Sequence, residues 1–212
     1  RYFIMKKSKR AKKSNSWKIK QHRDPFFKKS KTLGYRSRAS FKLIELNKKY
    51  NFIKKDSNLL DLGSCPGGWS QVASQIITKG NILSIDIKEM SPIKNVKFLK
   101  ADIFKKDTKI KIIQYFQTNI DIIISDMAAD TTGNKSLDSI RTNQLCSDAM
   151  NFSKNILKPK GVFVSKLFMG EDFIEVKNLA KSIFKTVNFF KPESSRKESK
   201  ETYLHCERLK SL

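Results

Sequence analysis

Histidine is nearly absent: His22 and His205 are the whole supply, too little for an imidazole-built metal site or a histidine-based triad, and no metal is expected. Three cysteines, Cys65, Cys146 and Cys206, are scattered, odd in number and without CxxC spacing. They exclude a disulfide framework and fit reduced thiols in a cytoplasmic protein. Cys65 and Cys146 read as small buried fillers, and His205 reads as a surface residue of the last strand. No apolar run approaches the roughly 18 residues of a membrane span. The N-terminal stretch is too polar for a signal peptide, so no membrane contact is expected. A G-x-x-x-x-G-K-[ST] sequence is missing, which disfavours P-loop nucleotide binding. Glycine is also scarce, yet three of the eight residues stand together at 63, 67 and 68.

Acids are few, 20 against 44 Lys and Arg, for a formal charge of +24. Residues 1–55 hold 20 of those cations against only Asp24 and Glu45, a local +18, which leaves +6 for the other 157 residues. Charge gathered at one end is what a phosphate-binding segment needs, since clustered Lys and Arg release counterions from nucleic acid. Residues 1–36 are therefore expected to form an irregular, partly flexible basic arm that binds RNA. Trp17, Phe26, Phe27 and Tyr35 are its stacking groups or its anchors to the domain.

Residues 37–212 read as one domain. Phe41, Ile44 and Leu46 with charged neighbours predict a helix over 37–50. Apolar runs at 58–62, 81–87, 96–99, 120–125, 161–168, 186–190 and 202–206 predict strands. Helical patterns fit between them at 68–78, 106–117, 138–157 and 172–184. Such alternation implies an α/β fold, a mostly parallel sheet with helices on both faces. A monomer is expected.

The run Leu59, Leu60, Leu62 enters a turn with Gly63, Pro66, Gly67 and Gly68, and a helical pattern follows. A strand that delivers its chain to a helix start through glycines makes a site for an anionic, nucleotide-like ligand. A dinucleotide fingerprint would place glycine at position 65, where backbone comes nearest a pyrophosphate; Cys65 argues against that ligand. Asp86, ending the second strand 18 residues beyond Gly68, is placed to accept hydrogen bonds from ribose hydroxyls. Asp102 follows the third strand, where an adenine amino group would lie. Adenosine without a pyrophosphate points to S-adenosylmethionine as cofactor.

Five segments then occur in order: Arg36-Ser-Arg-Ala-Ser-Phe-Lys42-Leu, Asp61-Leu-Gly-Ser-Cys-Pro-Gly-Gly-Trp-Ser-Gln71, Ser125-Asp126-Met-Ala, Lys166-Leu-Phe-Met-Gly-Glu and Ser194-Ser-Arg-Lys-Glu-Ser-Lys-Glu201-Thr-Tyr. Together the segments resemble those of the FtsJ-type bacterial large-subunit ribosomal RNA 2′-O-methyltransferases. The resemblance runs from about Trp17 to about Glu207 and implies a Rossmann-like methyltransferase fold. It also implies methyl transfer from S-adenosylmethionine to a uridine 2′-hydroxyl of the large-subunit (23S) rRNA, in the 50S ribosomal subunit. Cofactor contacts carried over are Gly63, Gly67, Gly68, Trp69, Asp86, Asp102 and Asp126. The catalytic set implied is Lys42, Asp126, Lys166 and Glu201, with Lys166 as base and Lys42 steadying the developing alkoxide. Asp126 and Lys166 each follow an apolar run, at strand ends where open α/β sheets build their sites.

Ser64 and Cys65 stand where the family has small residues such as Ala-Ala, so the pocket is expected to persist. Ala129 replaces a proline after Asp126, which removes a source of rigidity from that loop. Ser40 replaces an aromatic residue beside Lys42, which is expected to loosen packing or an RNA contact. The same motifs would serve a tRNA or mRNA ribose methyltransferase, or a ribosome-assembly RNA-binding protein that keeps the fold without turnover. Removal of residues 1–30 is expected to weaken RNA or ribosome binding, measured across a salt series, more than cofactor binding measured calorimetrically. Equal losses in both would show that the arm serves the fold instead.

Overall fold

The computed structural model describes residues 23–210. Trp17 and most of the basic arm lie outside the described residues. The chain runs α1 (Pro25–Thr32), α2 (Ala39–Tyr50), β1 (Leu59–Leu62), α3 (Gly68–Ile76), β2 (Ile82–Asp86), β3 (Lys97–Lys100) and α4 (Lys106–Phe116). It continues with β4 (Ile120–Ser125), α5 (Lys135–Ser153), β5 (Leu157–Phe168), α6 (Phe173–Ile183), β6 (Phe184–Phe190) and β7 (Glu201–Leu209).

The seven strands form one sheet in the order β3-β2-β1-β4-β5-β7-β6. The first five are mutually parallel, while β7 runs antiparallel to both β5 and β6. All four residues of β1 are buried, and Ile120, Ile122, Ile123 and Ile124 of β4 are buried as well. These continuous aliphatic runs suit strands covered on both faces. Leu43, Leu46, Trp69 and Val72 from α2 and α3 pack on one face with Ile122, Ile124, Val164 and Tyr203. On the other face Ile112, Ala149, Met150 and Ala180 from α4, α5 and α6 pack with Leu60, Ile123, Phe163 and Leu204. Strand order reverses between β1 and β4, the switch point where open α/β sheets leave a crevice at the strand C-termini.

Three differences from the sequence-based expectations have physical reasons. The stretch at 25–32 is helical, where irregular chain was expected. Asp24 caps it by accepting from the amides of Phe26 at 3.0 Å and Phe27 at 3.2 Å, and Pro25 occupies the first turn. Phe26 and Tyr35 pack against Phe41 with ring centroids 5.5 and 5.6 Å apart, so these two anchor to the domain. The helix expected over 138–157 ends at Ser153, since Leu157 already pairs with Ile120 in the sheet. Between Ile120 and Ile122 the register shifts from Leu157 to Val162, across a stretch of β5 that carries Pro159, a residue unable to continue a helix.

His205 is fully buried, contrary to its expected surface position. It lies on an interior strand, flanked by β5 and β6, and its ring stacks on Tyr50 of α2 at 3.9 Å. Burial pushes its pKa down to about 4, so it is neutral near pH 7.

Asp24 does more than cap α1. Its carboxylate pairs with Arg38, and Arg196 Nε lies 3.4 Å away, while Arg38 also donates to the carbonyl of Ser194. The helix at 25–32 is thereby latched to the β6–β7 loop. A truncation meant to isolate the arm therefore ends at residue 22, because one ending at residue 30 removes the latch. Asp24→Ala is expected to lower stability by about 3 kcal/mol, since it leaves a largely buried guanidinium unpaired and uncaps a helix. Urea denaturation with an unchanged m-value checks it, and a loss under about 0.5 kcal/mol would contradict the latch.

Candidate active site

The turn after β1 is shaped by close backbone approach. Gly63 has φ +70°, and a Cβ there would run into the Met127 side chain. Gly68 opens α3 against Ser40, whose hydroxyl donates to the Gly68 carbonyl at 3.0 Å. Ser40, which stands beside Lys42, is fully buried.

Beside this turn lies a cavity of about 400 Å³, lined among others by Gly63, Cys65, Asp86, Asp102, Asp126 and Met127. A narrower cleft of about 50 Å³ continues under the turn between Ser37, Asp61, Ser64, Gly68, Trp69 and Asp126. Asp86 supports the turn by accepting from the Cys65 amide at 2.8 Å and also caps the Lys88 amide at 2.8 Å. Asp102 accepts from the Phe104 amide at 3.0 Å. Cys65 is partly exposed and lines the cavity, so it is not a buried filler; Cys146 is buried. Trp69 is buried, with its indole N–H donated to the Ala39 carbonyl at 2.8 Å, and it reaches only the narrow cleft. Gly67 lines neither space: a Cβ on it would meet Met90, Ile93 and Arg36.

Asp61 is fully buried and accepts from the Ser70 hydroxyl at 2.5 Å. Burial, reinforced by the charges of Asp126 and Asp86, pushes its pKa up to about 7 against the pull of Ser70.

Lys42, Asp126, Lys166 and Glu201 come from four separate elements or their ends and meet at one point. Lys42 Nζ lies 2.8 Å from the Glu201 carboxylate. Lys166 Nζ lies 2.8 Å from Asp126 Oδ1 and 3.7 Å from Glu201 Oε2, and it donates to the Asp126 carbonyl at 2.9 Å. Register explains the convergence, since Lys166 pairs with Tyr203 and Phe168 with Glu201 across β5 and β7. Two further residues complete the cluster without any signal in composition or spacing. Tyr203 donates to Asp126 Oδ1 at 2.7 Å, and Ser195 donates to Glu201 Oε1 at 2.8 Å.

Burial opposes the charges on Asp126 and Lys166, and their partners decide the outcome. Asp126 is pushed up by burial, but Lys166 and Lys42, with the Lys166 and Tyr203 hydrogen bonds, hold it below the ordinary carboxylate value. Lys166 is pushed down by burial, but Asp126 and Glu201 hold it above the ordinary lysine value. The Lys166 ammonium is therefore protonated in the free protein at neutral pH.

The family profile of FtsJ-like methyltransferases matches residues 35–209. This chain belongs to the FtsJ-like methyltransferase family. The ribosomal RNA large subunit methyltransferase E of Pelagibacter ubique is 44% identical over 197 residues, covering 93% of this chain and 97% of that protein. The protein of the same name from Rickettsia akari is 45% identical over 202 residues, covering 92% and 89%. A crystal structure of a ribosomal RNA methyltransferase from Plasmodium falciparum superposes with a TM-score of 0.74 at 35% identity, covering 82% of this chain and 98% of that one.

FtsJ-like methyltransferases use S-adenosylmethionine as methyl donor, and the residues here fit it. Ser37 Oγ and Ser64 Oγ are buried atoms with no partner among the described residues, and both residues line the narrow cleft beside Asp61. Unsatisfied buried hydroxyls in a polar cleft indicate a polar ligand. Asp86 and Asp102 would hold the adenosine part in the larger cavity, and Ser37, Ser64 and Asp61 the amino-acid part in the cleft.

Asp61 gives a test of this geometry. Between about pH 4 and 7 the folded carboxyl keeps a proton that the unfolded chain releases, so stability falls as pH rises through that window. The Asp61→Asn variant is expected to gain up to about 4 kcal/mol relative to the parent across it, measured by urea denaturation at several pH values. Parallel pH dependences in the two proteins would contradict a protonated Asp61.

Proposed function

We propose that this protein transfers the methyl group of S-adenosylmethionine to the 2′-hydroxyl of a uridine in large-subunit ribosomal RNA, acting on the 50S subunit as a cytoplasmic monomer. The observation that carries the reading is the buried cluster of Lys42, Asp126, Lys166 and Glu201, one of whose members, Asp126, also lines the cofactor cavity. Relatives named for large-subunit ribosomal RNA, which match along most of the chain, support this acceptor. The basic residues before position 56 supply phosphate contacts for such a partner.

S-adenosylmethionine, when bound, supplies a methyl group already activated on a sulfonium. The protein's task is to align the acceptor oxygen, a contribution that reaches roughly 7–11 kcal/mol in well-oriented systems. Lys42 is placed to hold that oxygen and to stabilise negative charge developing on it. Asp126 and Glu201 fix the two ammonium groups through the short contacts above, and Tyr203 and Ser195 fix the carboxylates in turn. Lys166 is the proton acceptor, a role worth about 10²–10⁴-fold. Its raised pKa means that it must first lose its own proton. A ribose that displaces water from the cluster strengthens the burial effect, which works in that direction.

The rate of methyl transfer is therefore expected to rise with pH toward the Lys166 pKa. Glu201→Gln, which removes one carboxylate holding that proton, shifts the rise to lower pH while lowering the overall rate. A rate that falls where Lys166 loses its proton would identify it as a fixed cation instead. Lys166→Ala is expected to lose methyl transfer while retaining cofactor binding in calorimetry. The acceptor is tested by incubating the parent with labelled S-adenosylmethionine and large subunits, naked large-subunit rRNA, small subunits or tRNA. Label in large subunits, at a ribose resistant to alkaline hydrolysis, is the expected outcome. Label confined to tRNA would overturn the acceptor.

A further inference from the structure

A second hollow, of about 610 Å³, has Glu201 in its lining, as the cofactor cavity has Asp126. It is built over the upper ends of β5, β6 and β7. Met169, Phe173 and Phe189 form its apolar floor, and the β6–β7 loop forms its wall. Phe173 and Phe189 have ring centroids 4.9 Å apart, and Met169 is 47% exposed, a large apolar side chain only half covered by the described residues.

The wall is held in shape. The Met169 amide donates to the Lys200 carbonyl at 2.9 Å, Lys191 Nζ donates to the Ser199 carbonyl at 2.7 Å, and the Glu201 amide donates to Ser199 Oγ at 3.1 Å. Charge on the wall is one-sided: Lys191, Lys197 and Lys200 line the hollow against Glu198, while Glu201 is already engaged by Lys42 and Ser195. An aromatic and thioether floor beneath a cationic rim is a site for a nucleobase with its phosphates. A basic protein segment would find no acidic partner here beyond Glu198.

We propose that this hollow holds the base of the nucleotide adjoining the acceptor, stacked over Met169 and the Phe173 ring, with Lys197 and Lys200 on the flanking phosphates. The proposal rests on the RNA reading above and deepens it. The acceptor hydroxyl is placed by the four-residue cluster, and Glu201 belongs both to that cluster and to the lining of the hollow. A neighbour on the same strand would reach the hollow over the edge of the sheet where β7 begins at Glu201. Bases splayed onto aromatic platforms are the usual way in which single-stranded RNA is held.

The test uses the full chain, S-adenosylmethionine and two acceptors, large subunits lacking the modification and naked large-subunit rRNA. Phe173→Leu keeps the apolar packing and removes the ring, and Met169→Ala removes an exposed floor residue. Each is expected to raise KM for both acceptors about 5-fold or more, with cofactor Kd and melting temperature unchanged. Lys197→Ala and Lys200→Ala should each reduce the slope of log affinity against log salt by about 0.7 on naked rRNA.

Short single-stranded RNAs with 2-aminopurine beside a central uridine supply a direct readout. Their fluorescence is expected to quench on binding the parent and to recover in Phe173→Leu. KM values within 2-fold of the parent with unchanged quenching overturn the proposal. A loss on assembled subunits but not on naked rRNA also overturns it, since the hollow would then meet a ribosomal protein. No label from the parent in either acceptor would instead sink the RNA reading itself.

Discussion

Two lysines and two carboxylates, all four withdrawn at least in part from water, hold one another in place at the C-terminal edge of the sheet, and the rest of the chain is arranged around them. Burial acts against each charge, and mutual attraction restores it, so none of the four stands without the others. The depressed pKa of Asp126 and the raised pKa of Lys166 are two views of that coupling. A cluster of balanced charge keeps amines and carboxylates fixed at a point where a neutral hydroxyl is to be received.

The fold supplies this point through topology. Lys42 comes from α2, Asp126 from the end of β4, Lys166 from β5 and Glu201 from the start of β7. β7 runs antiparallel to β5, so its first residue lies at the same edge as the ends of the parallel strands. The crevice between β1 and β4 then places the cofactor cavity on one side of the cluster. The β6–β7 loop, tied to α1 through Asp24, Arg38 and Arg196, stands on the other side and carries Ser195 to Glu201.

Much of this was legible in the sequence, for identifiable reasons. Aliphatic runs marked the parallel strands because both faces of such strands are buried. The glycines at 63 and 68 marked the turn because close approach admits no side chain there. Asp126 and Lys166 stood out as polar residues that end apolar runs. The rest depends on partners distant in sequence. Asp24 reads as an isolated acid in a basic arm until Arg38 and Arg196 are brought to it. His205 reads as a polar residue of the last strand, and only the addition of β6 beyond β7, with Tyr50 above, shows that it is buried. Tyr203 reads as a strand residue until it reaches Asp126. The balance at Lys166 between burial and two carboxylates is set by distances, which no spacing encodes.

The central claim is that Asp126 and Glu201 outweigh burial and hold the proton on Lys166 in the free protein. Observation of the Lys166 side chain by carbon-13 NMR across a pH titration, in the parent and in Glu201→Gln, measures it directly. The account predicts a midpoint above the ordinary lysine value of about 10.4 in the parent and a lower one in the variant. A parent midpoint near neutrality, unmoved by the substitution, would contradict it.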